Sequence, residues 1–139
     1  MWFGESNRYF HVSASGLFVA GGYYDTASDQ IARFRRAVAE EITGKALIEA
    51  INAGEKVKLE LGGHQLTRTP SGYQKDHPNE NLLRYKTMTL HREFGCPHWL
   101  TTKRTKTEVI KAFRGMQPLL DWLHSNVGGT DQVLGRGRK

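Results

Sequence analysis

Apolar and polar positions change rhythm several times along the chain, and each rhythm predicts an element. Residues 9–13 (YFHVS) and 17–20 (LFVA) are rich in β-branched and aromatic side chains and flank a short Ala14-Ser15-Gly16 connection. This reads as a β-hairpin, with Gly16 taking the left-handed conformation of a three-residue loop. Both faces of the hairpin are apolar: Phe10 and Val12 on one, Tyr9 on the other, and Leu17, Phe18 and Val19 in succession. Strands apolar on both sides are usually buried on both sides, which predicts helices on each face or a partner subunit. Gly21-Gly22 then predicts a tight turn, or a close approach of other backbone, before Tyr23 and Tyr24.

The period then lengthens. Thr26 and Asp29 resemble a capping box, with Ser28 as an alternative cap, and Ile31, Phe34, Val38 and Ile42 make a helical stripe. Thr43-Gly44 is expected to break that helix, with a second, shorter one over 45–53 ending at Gly54. Val57, Leu59 and Leu61 alternate with charged residues as in a half-exposed strand, Gly62-Gly63 signals a two-residue hairpin, and 65–67 returns. With Leu66 inward, a period of two turns His64 and Arg68 inward as well. A turn over 69–73, a polar irregular stretch over 74–81, and a short helix or extended turn over 82–85 follow. Residues 87–94 read as a strand with Met88, Leu90 and Phe94 inward, and parity turns Lys86 and Arg92 inward too. Trp99-Leu100 is expected to plug the core. The last long helix begins near Thr105 or Thr107, with Val109, Phe113, Met116, Leu120 and Leu123 as one buried seam, and Pro118 predicts a kink or two abutting helices. Periodicity is lost over 128–139, which predicts a disordered basic tail.

The predicted fold class is α+β, a single domain over 1–127 in which antiparallel β-hairpins pack against two main helices. A length of 139 residues fits one such domain, and 38% hydrophobic content is enough for a core. The net charge of +6 is raised by Arg136, Arg138 and Lys139 in the tail, against Asp131, so the folded body is only moderately basic. One cysteine, Cys96, excludes an intrachain disulfide. No basic region followed by an apolar run marks a signal peptide, and no run reaches membrane-spanning length, so a cytoplasmic protein without membrane partners is expected.

Residues 10–24 (FHVSASGLFVAGGYY) carry a resemblance, continued by RFR at 33–35, RTPSGY at 68–73, DHP at 76–78, LLRYK at 82–86 and PL at 118–119. In order and approximate spacing these are similar to the pattern of a bacterial and fungal family of domains of unknown function, number twenty-four sixty-one. The resemblance spans roughly 9–127. Members carry a further helical segment before the hairpin, with an Asn-rich motif containing Trp-Phe, whereas here only residues 1–7, with Trp2-Phe3, precede it. The resemblance therefore implies a shortened member or a chain that begins inside the domain, with Trp2 and Phe3 as a cover for an exposed sheet face. It implies no activity.

Arg35, Arg68 and Lys86 come from separate elements and each falls on a nominally apolar face. At about 100° per residue Arg35 lies only about 40° from Ile31. A buried cation needs a partner. Asp25, Asp29, Asp76 or Glu80 can neutralise these three, or their heads can reach back to water. Otherwise they form an anion pocket that binds phosphate or carboxylate, with Tyr24, Tyr73 and His77 as lining hydrogen-bond donors. His77 beside Asp76 suits a loop role before acid–base work. Cys96-x-His98 lacks the paired spacing of zinc sites, so no metal and no cofactor are expected, and no residue carries a catalytic pattern. The expected partner is a small anionic ligand. Nucleic acid is the alternative, favoured by a pI of 9.6 and the tail but without a recognised binding motif. A third class is a non-catalytic interaction module, and the doubly apolar hairpin predicts a homodimer.

Overall fold

The β-branched and aromatic runs at the amino end pair as expected. In the computed structural model, which describes residues 8–130, β1 (Arg8–Ser13) and β2 (Gly16–Tyr23) form an antiparallel hairpin around Ala14 and Ser15. Gly16 follows the turn at φ 115°, a conformation that side chains rarely adopt. The tight turn expected at Gly21-Gly22 is absent. Both residues are paired in β2, opposite Leu90 and Thr89 of β4 (Met88–Gly95). Glycine is needed there for close approach, because a Cβ on Gly22 would stand 2.3 Å from the Met88 carbonyl oxygen.

β3 (Glu60–Gly62) completes a sheet of order β1-β2-β4-β3, all neighbours antiparallel. The hairpin expected at Gly62-Gly63 does not form: β3 pairs with β4, and residues 65–67 contribute only an isolated bridge between Gln65 and Tyr85. The neighbouring edge of the chain at 84–86 offers its carbonyls and N–H groups to 64–66 instead, with Leu66 N–H donating to Arg84 O at 2.7 Å and Lys86 N–H to His64 O at 2.7 Å.

The helices differ from expectation mainly at their ends. α1 (Ser28–Ala39) is preceded by Ala27, whose N–H donates to the Gln30 side chain at 2.9 Å, and neither Thr26 nor Ser28 serves as its cap. The chain breaks at Glu40, which is extended, and α2 (Glu41–Lys56) runs through Thr43 and Gly44. Gly44 is buried because α2 passes close to the end of α1 there: an added Cβ would stand 2.5 Å from the Val38 carbonyl oxygen. With the axis changed at Glu40, Ile42 leaves the stripe and is 82% exposed. After the short α3 (Glu80–Leu83), α4 (Arg104–Asn126) is one helix through Pro118. Pro118 lies on the exposed side, so the hydrogen bond it removes faces water.

The core lies between the helices and the sheet face carrying Leu17, Val19, Met88 and Leu90, each at most 1% exposed. The predicted α4 seam of Val109, Phe113, Met116, Leu120 and Leu123 is buried throughout. Each such side chain contributes on the order of 1.5–3 kcal/mol by leaving water. Trp99 is buried as expected, and Arg92 keeps its inward parity with its guanidinium 4.0 Å from the Phe94 ring centroid. On the opposite parity Tyr9, His11, Phe18 and His91 form a ladder of ring contacts with centroids 5.3–6.3 Å apart. Burial on both faces therefore holds for most of central β2, while edge strand β1 leaves Val12 53% exposed. Residues 128–130, the start of the expected tail, pack on α1: Gln30 donates to Gly128 O at 2.8 Å and Thr130 to Asp29 at 2.6 Å. The rest of that tail, and Trp2-Phe3, lie outside the described residues.

Candidate functional site

Four chain segments meet at the amino end of α1. The end of β2 delivers Tyr24 and Asp25, the first turn of α1 delivers Ser28, and the crossing segments 64–66 and 86–87 deliver His64 and Lys86. Hydrogen bonds brace the crossing. The Thr26 hydroxyl donates to Lys86 O at 2.8 Å, and His64 N–H donates to the Thr87 hydroxyl at 2.9 Å. Together with the two backbone bonds between 64–66 and 84–86, these hold a cleft of about 630 Å³ open between the segments.

Its chemistry is polar and of mixed charge. Lys86 supplies a cation, Asp25 a carboxylate, and Thr26, Ser28 and His64 hydrogen-bonding groups. The N-cap, Ala27, has no side chain that caps α1, and the amino end of the helix borders the cleft with part of its first turn already engaged: Gln30 accepts from Ala27 N–H at 2.9 Å and Asp29 from Gln30 N–H. Burial withholds solvent from the Tyr24 phenolate, with the neighbouring Tyr9 phenol adding to the effect, and pushes the Tyr24 pKa up to about 12. At neutral pH Tyr24 is therefore a protonated hydrogen-bond donor.

Two of the six residues nominated from sequence, Tyr24 and Lys86, share this cleft; Arg35, Arg68, Tyr73 and His77 do not line it. Lys86 is exposed rather than inward, because it precedes β4 and the alternation of that strand does not extend to it. Arg68 is exposed for the same kind of reason: 65–67 is not a ladder strand, so a period of two has no meaning there. Arg35 is half-buried, one helical turn beyond the cleft-lining Ile31, and its buried Nε has no hydrogen-bond partner among the described residues. Tyr73 packs partly against the core. His77 has a loop role: Nδ1 accepts from Asn79 N–H at 2.9 Å, which leaves the proton on Nε2, 3.3 Å from Ala39 O. Cys96 is exposed, and its thiol donates to Ala14 O at 3.4 Å.

Two of the four carboxylates named as neutralising partners, Asp29 and Glu80, serve other cations. Asp29 pairs with Arg33 at 3.2 Å, and the Thr130 hydroxyl, ahead of Arg33, holds its carboxyl below the usual carboxylate range. Glu80 pairs with Arg84 at 3.4 Å and accepts from Thr69 at 2.8 Å. Among the described residues no carboxylate lies within ion-pair distance of Arg35, Arg68 or Lys86. Sequence reading passed over Ser28, Gln65 and Thr87 as site residues and took Thr26 for a cap. None of them stands out by period or motif; the crossing of 64–66 with 84–86 is what assembles them.

The sequence model of one protein family, described as conserved hypothetical protein (DUF2461), matches residues 3–122, most of the chain. The chain belongs to that family. DUF2461 is a family of domains of unknown function, so membership assigns no chemistry. No curated protein and no solved structure matches the chain. Within the described residues of this DUF2461 member, no helix is long and apolar enough to cross a membrane.

Proposed function

We propose that this protein binds a small anionic ligand, bearing phosphate or carboxylate, in the cleft at the amino end of α1. The observation that carries the reading is the meeting of Lys86 with the amino end of α1 and the Tyr24 hydroxyl, with no protein carboxylate paired to Lys86 among the described residues. Asp25 in the same cleft refines it. A bare anion meets one cation and one carboxylate, whereas an anion that also carries a hydroxyl or amine satisfies both.

Melting curves at equal ionic strength test the reading. Glycerol phosphate is expected to raise the melting temperature above chloride and above inorganic phosphate, through preferential binding to the folded state. Lys86→Met removes that increment and Arg68→Met, outside the cleft, retains it. An increment that survives Lys86→Met, or no increment with any of these anions, would sink the proposal. Nucleic-acid binding has less behind it: the ring ladder on the sheet is flanked by Glu60, 4.0 Å from His91, and by Glu93 opposite Phe18, charges that repel phosphate.

A further inference from the structure

Beyond the last turn of α4 the chain turns back onto α1. The N–H groups of Val127 and Gly128 both donate to Leu123 O, at 2.8 and 2.9 Å, and Gly128 takes φ 67°, the left-handed conformation that commonly ends a helix. Val127 is 3% exposed, so the turn is anchored in the core. Three side chains of α1 then hold residues 127–130. Arg33 donates through Nε to Val127 O at 2.7 Å and through Nη2 to Gly129 O. Gln30 donates to Gly128 O at 2.8 Å, and Asp29 accepts from the Thr130 hydroxyl at 2.6 Å. Asp29 also accepts from Arg33 Nη1 at 3.2 Å, which ties the clamp to itself. Carbonyls beyond a helix end can be left to water, yet three in succession here meet donors from one neighbouring helix.

Gln30 links this clamp to the cleft. The side chain is 5% exposed, and its two ends serve different segments. Nε2 holds the Gly128 carbonyl, while Oε1 accepts from Ala27 N–H at 2.9 Å, and Ala27 lines the cleft. A crevice of about 10 Å³ lies between the two, lined by Gln30 and Val127 on one side and by Thr26, Lys86 and Thr87 on the other. The last three also line the cleft, so clamp and cleft share walls.

We propose that residues 127–130 are a strap that positions the first turn of α1, with Gln30 as the positioning residue, so that docking of the strap and occupation of the cleft favour each other. The ligand half of this coupling rests on the reading of the cleft as an anion site. Coupling of this kind is reciprocal: a ligand in the cleft tightens the strap, and whatever draws the strap off α1 weakens the ligand.

Hydrogen exchange of the full chain, followed amide by amide with β4 as internal reference, tests it. Arg33→Met removes two of the strap's donors, and Gly128→Ala strains its turn, and neither touches Ala27. In both variants exchange is expected to rise about tenfold at Val127 and at Ala27 together, the scale of one lost hydrogen bond, with β4 as in the parent. In a Gln30→Met background, Arg33→Met should still speed Val127 and no longer alter Ala27. Glycerol phosphate at about ten times its Kd should slow exchange about tenfold at both amides of the parent, because bound ligand suppresses the opening. A faster Val127 beside an unchanged Ala27 overturns the proposal, as does a rise that β4 shares equally, which is global loosening. Glycerol phosphate that slows Ala27 and leaves Val127 as it was also overturns it, while sparing the cleft as a site. No response to glycerol phosphate at either amide overturns it together with the reading of the cleft, and the variants without ligand tell that failure from one of the strap itself.

Discussion

The cleft at the start of α1 and a groove between β1 and α4 are alike in size, about 630 and 710 Å³, and opposite in construction. The groove is made by a strand and a long helix, and its floor is the outer layer of the core. The cleft is made by short segments tied across one another by a few hydrogen bonds. Among the described residues no carboxylate pairs with the cations of either, yet Lys86 shares its cleft with Asp25 and hydroxyls, whereas Arg8 and Lys106 line a groove with Phe10, Ile110 and Phe113. Volume therefore says little about the chemistry of either. What differs is the company of the charge, polar groups in one case and apolar side chains in the other.

The largest expected effect tests the claim that the groove's floor is core. Phe113→Ala should cost about 3–5 kcal/mol in denaturant unfolding, as for other buried aromatic truncations. A cost under about 1 kcal/mol would mean that the groove is a surface feature, and the contrast with the cleft would fail. Breaking the cleft's bracing should cost less. Thr26→Val removes the hydroxyl bond to Lys86 O, and a loss of about 0.5–1.5 kcal/mol is expected. The same variant should weaken the glycerol phosphate increment, because the start of α1 is no longer tied to 86–87. A full increment in Thr26→Val would show that the bracing does not hold the site.

Smaller still is the alkaline response of the cleft. The folded pKa of Tyr24 lies above the usual tyrosine value of about 10, at about 12, because burial disfavours the phenolate. The protonated form is the one favoured in the fold. Its contribution to stability is fully present below pH 10 and is lost as pH rises from 10 towards 12. Tyr23 and Tyr85 are also raised by burial, so the comparison needs Tyr24→Phe, whose melting temperature should fall less steeply than the parent's over that window. Parallel curves for the two proteins would place Tyr24 in solvent rather than in the cleft wall. The smallest effect is expected from Arg68→Met. This side chain is exposed and lines neither concavity, so stability should change by no more than about 0.5 kcal/mol. A loss of several kcal/mol would return Arg68 to a buried partner and reopen the constellation of Arg35, Arg68 and Lys86.

Much of the scaffold was legible in the residues alone. The α4 seam from Val109 to Leu123, the inward Met88 and Leu90, and the aromatic hairpin around Gly16 all follow from local period and turn chemistry, because one face of each element must leave water. Even the parity of Arg92 survived, since β4 is a true ladder strand there. The alternation argument failed where the chain was not part of a ladder, at His64, Arg68 and Lys86. Glycine was ambiguous for a related reason. Gly44 and Gly22 are small because backbone from elsewhere comes close, and nothing in their neighbours' identity reports that approach.

What the sequence determined by itself, then, was the α+β class, the main elements and most of the core, each of which depends on residues near one another in the chain. The tertiary structure decided which side chains share a site. Thr26 meets Lys86, 64–66 crosses 84–86, and Arg8 meets Gln117 through contacts between distant segments. Such pairings follow from how the packed elements register against each other, and a local period carries no record of that register.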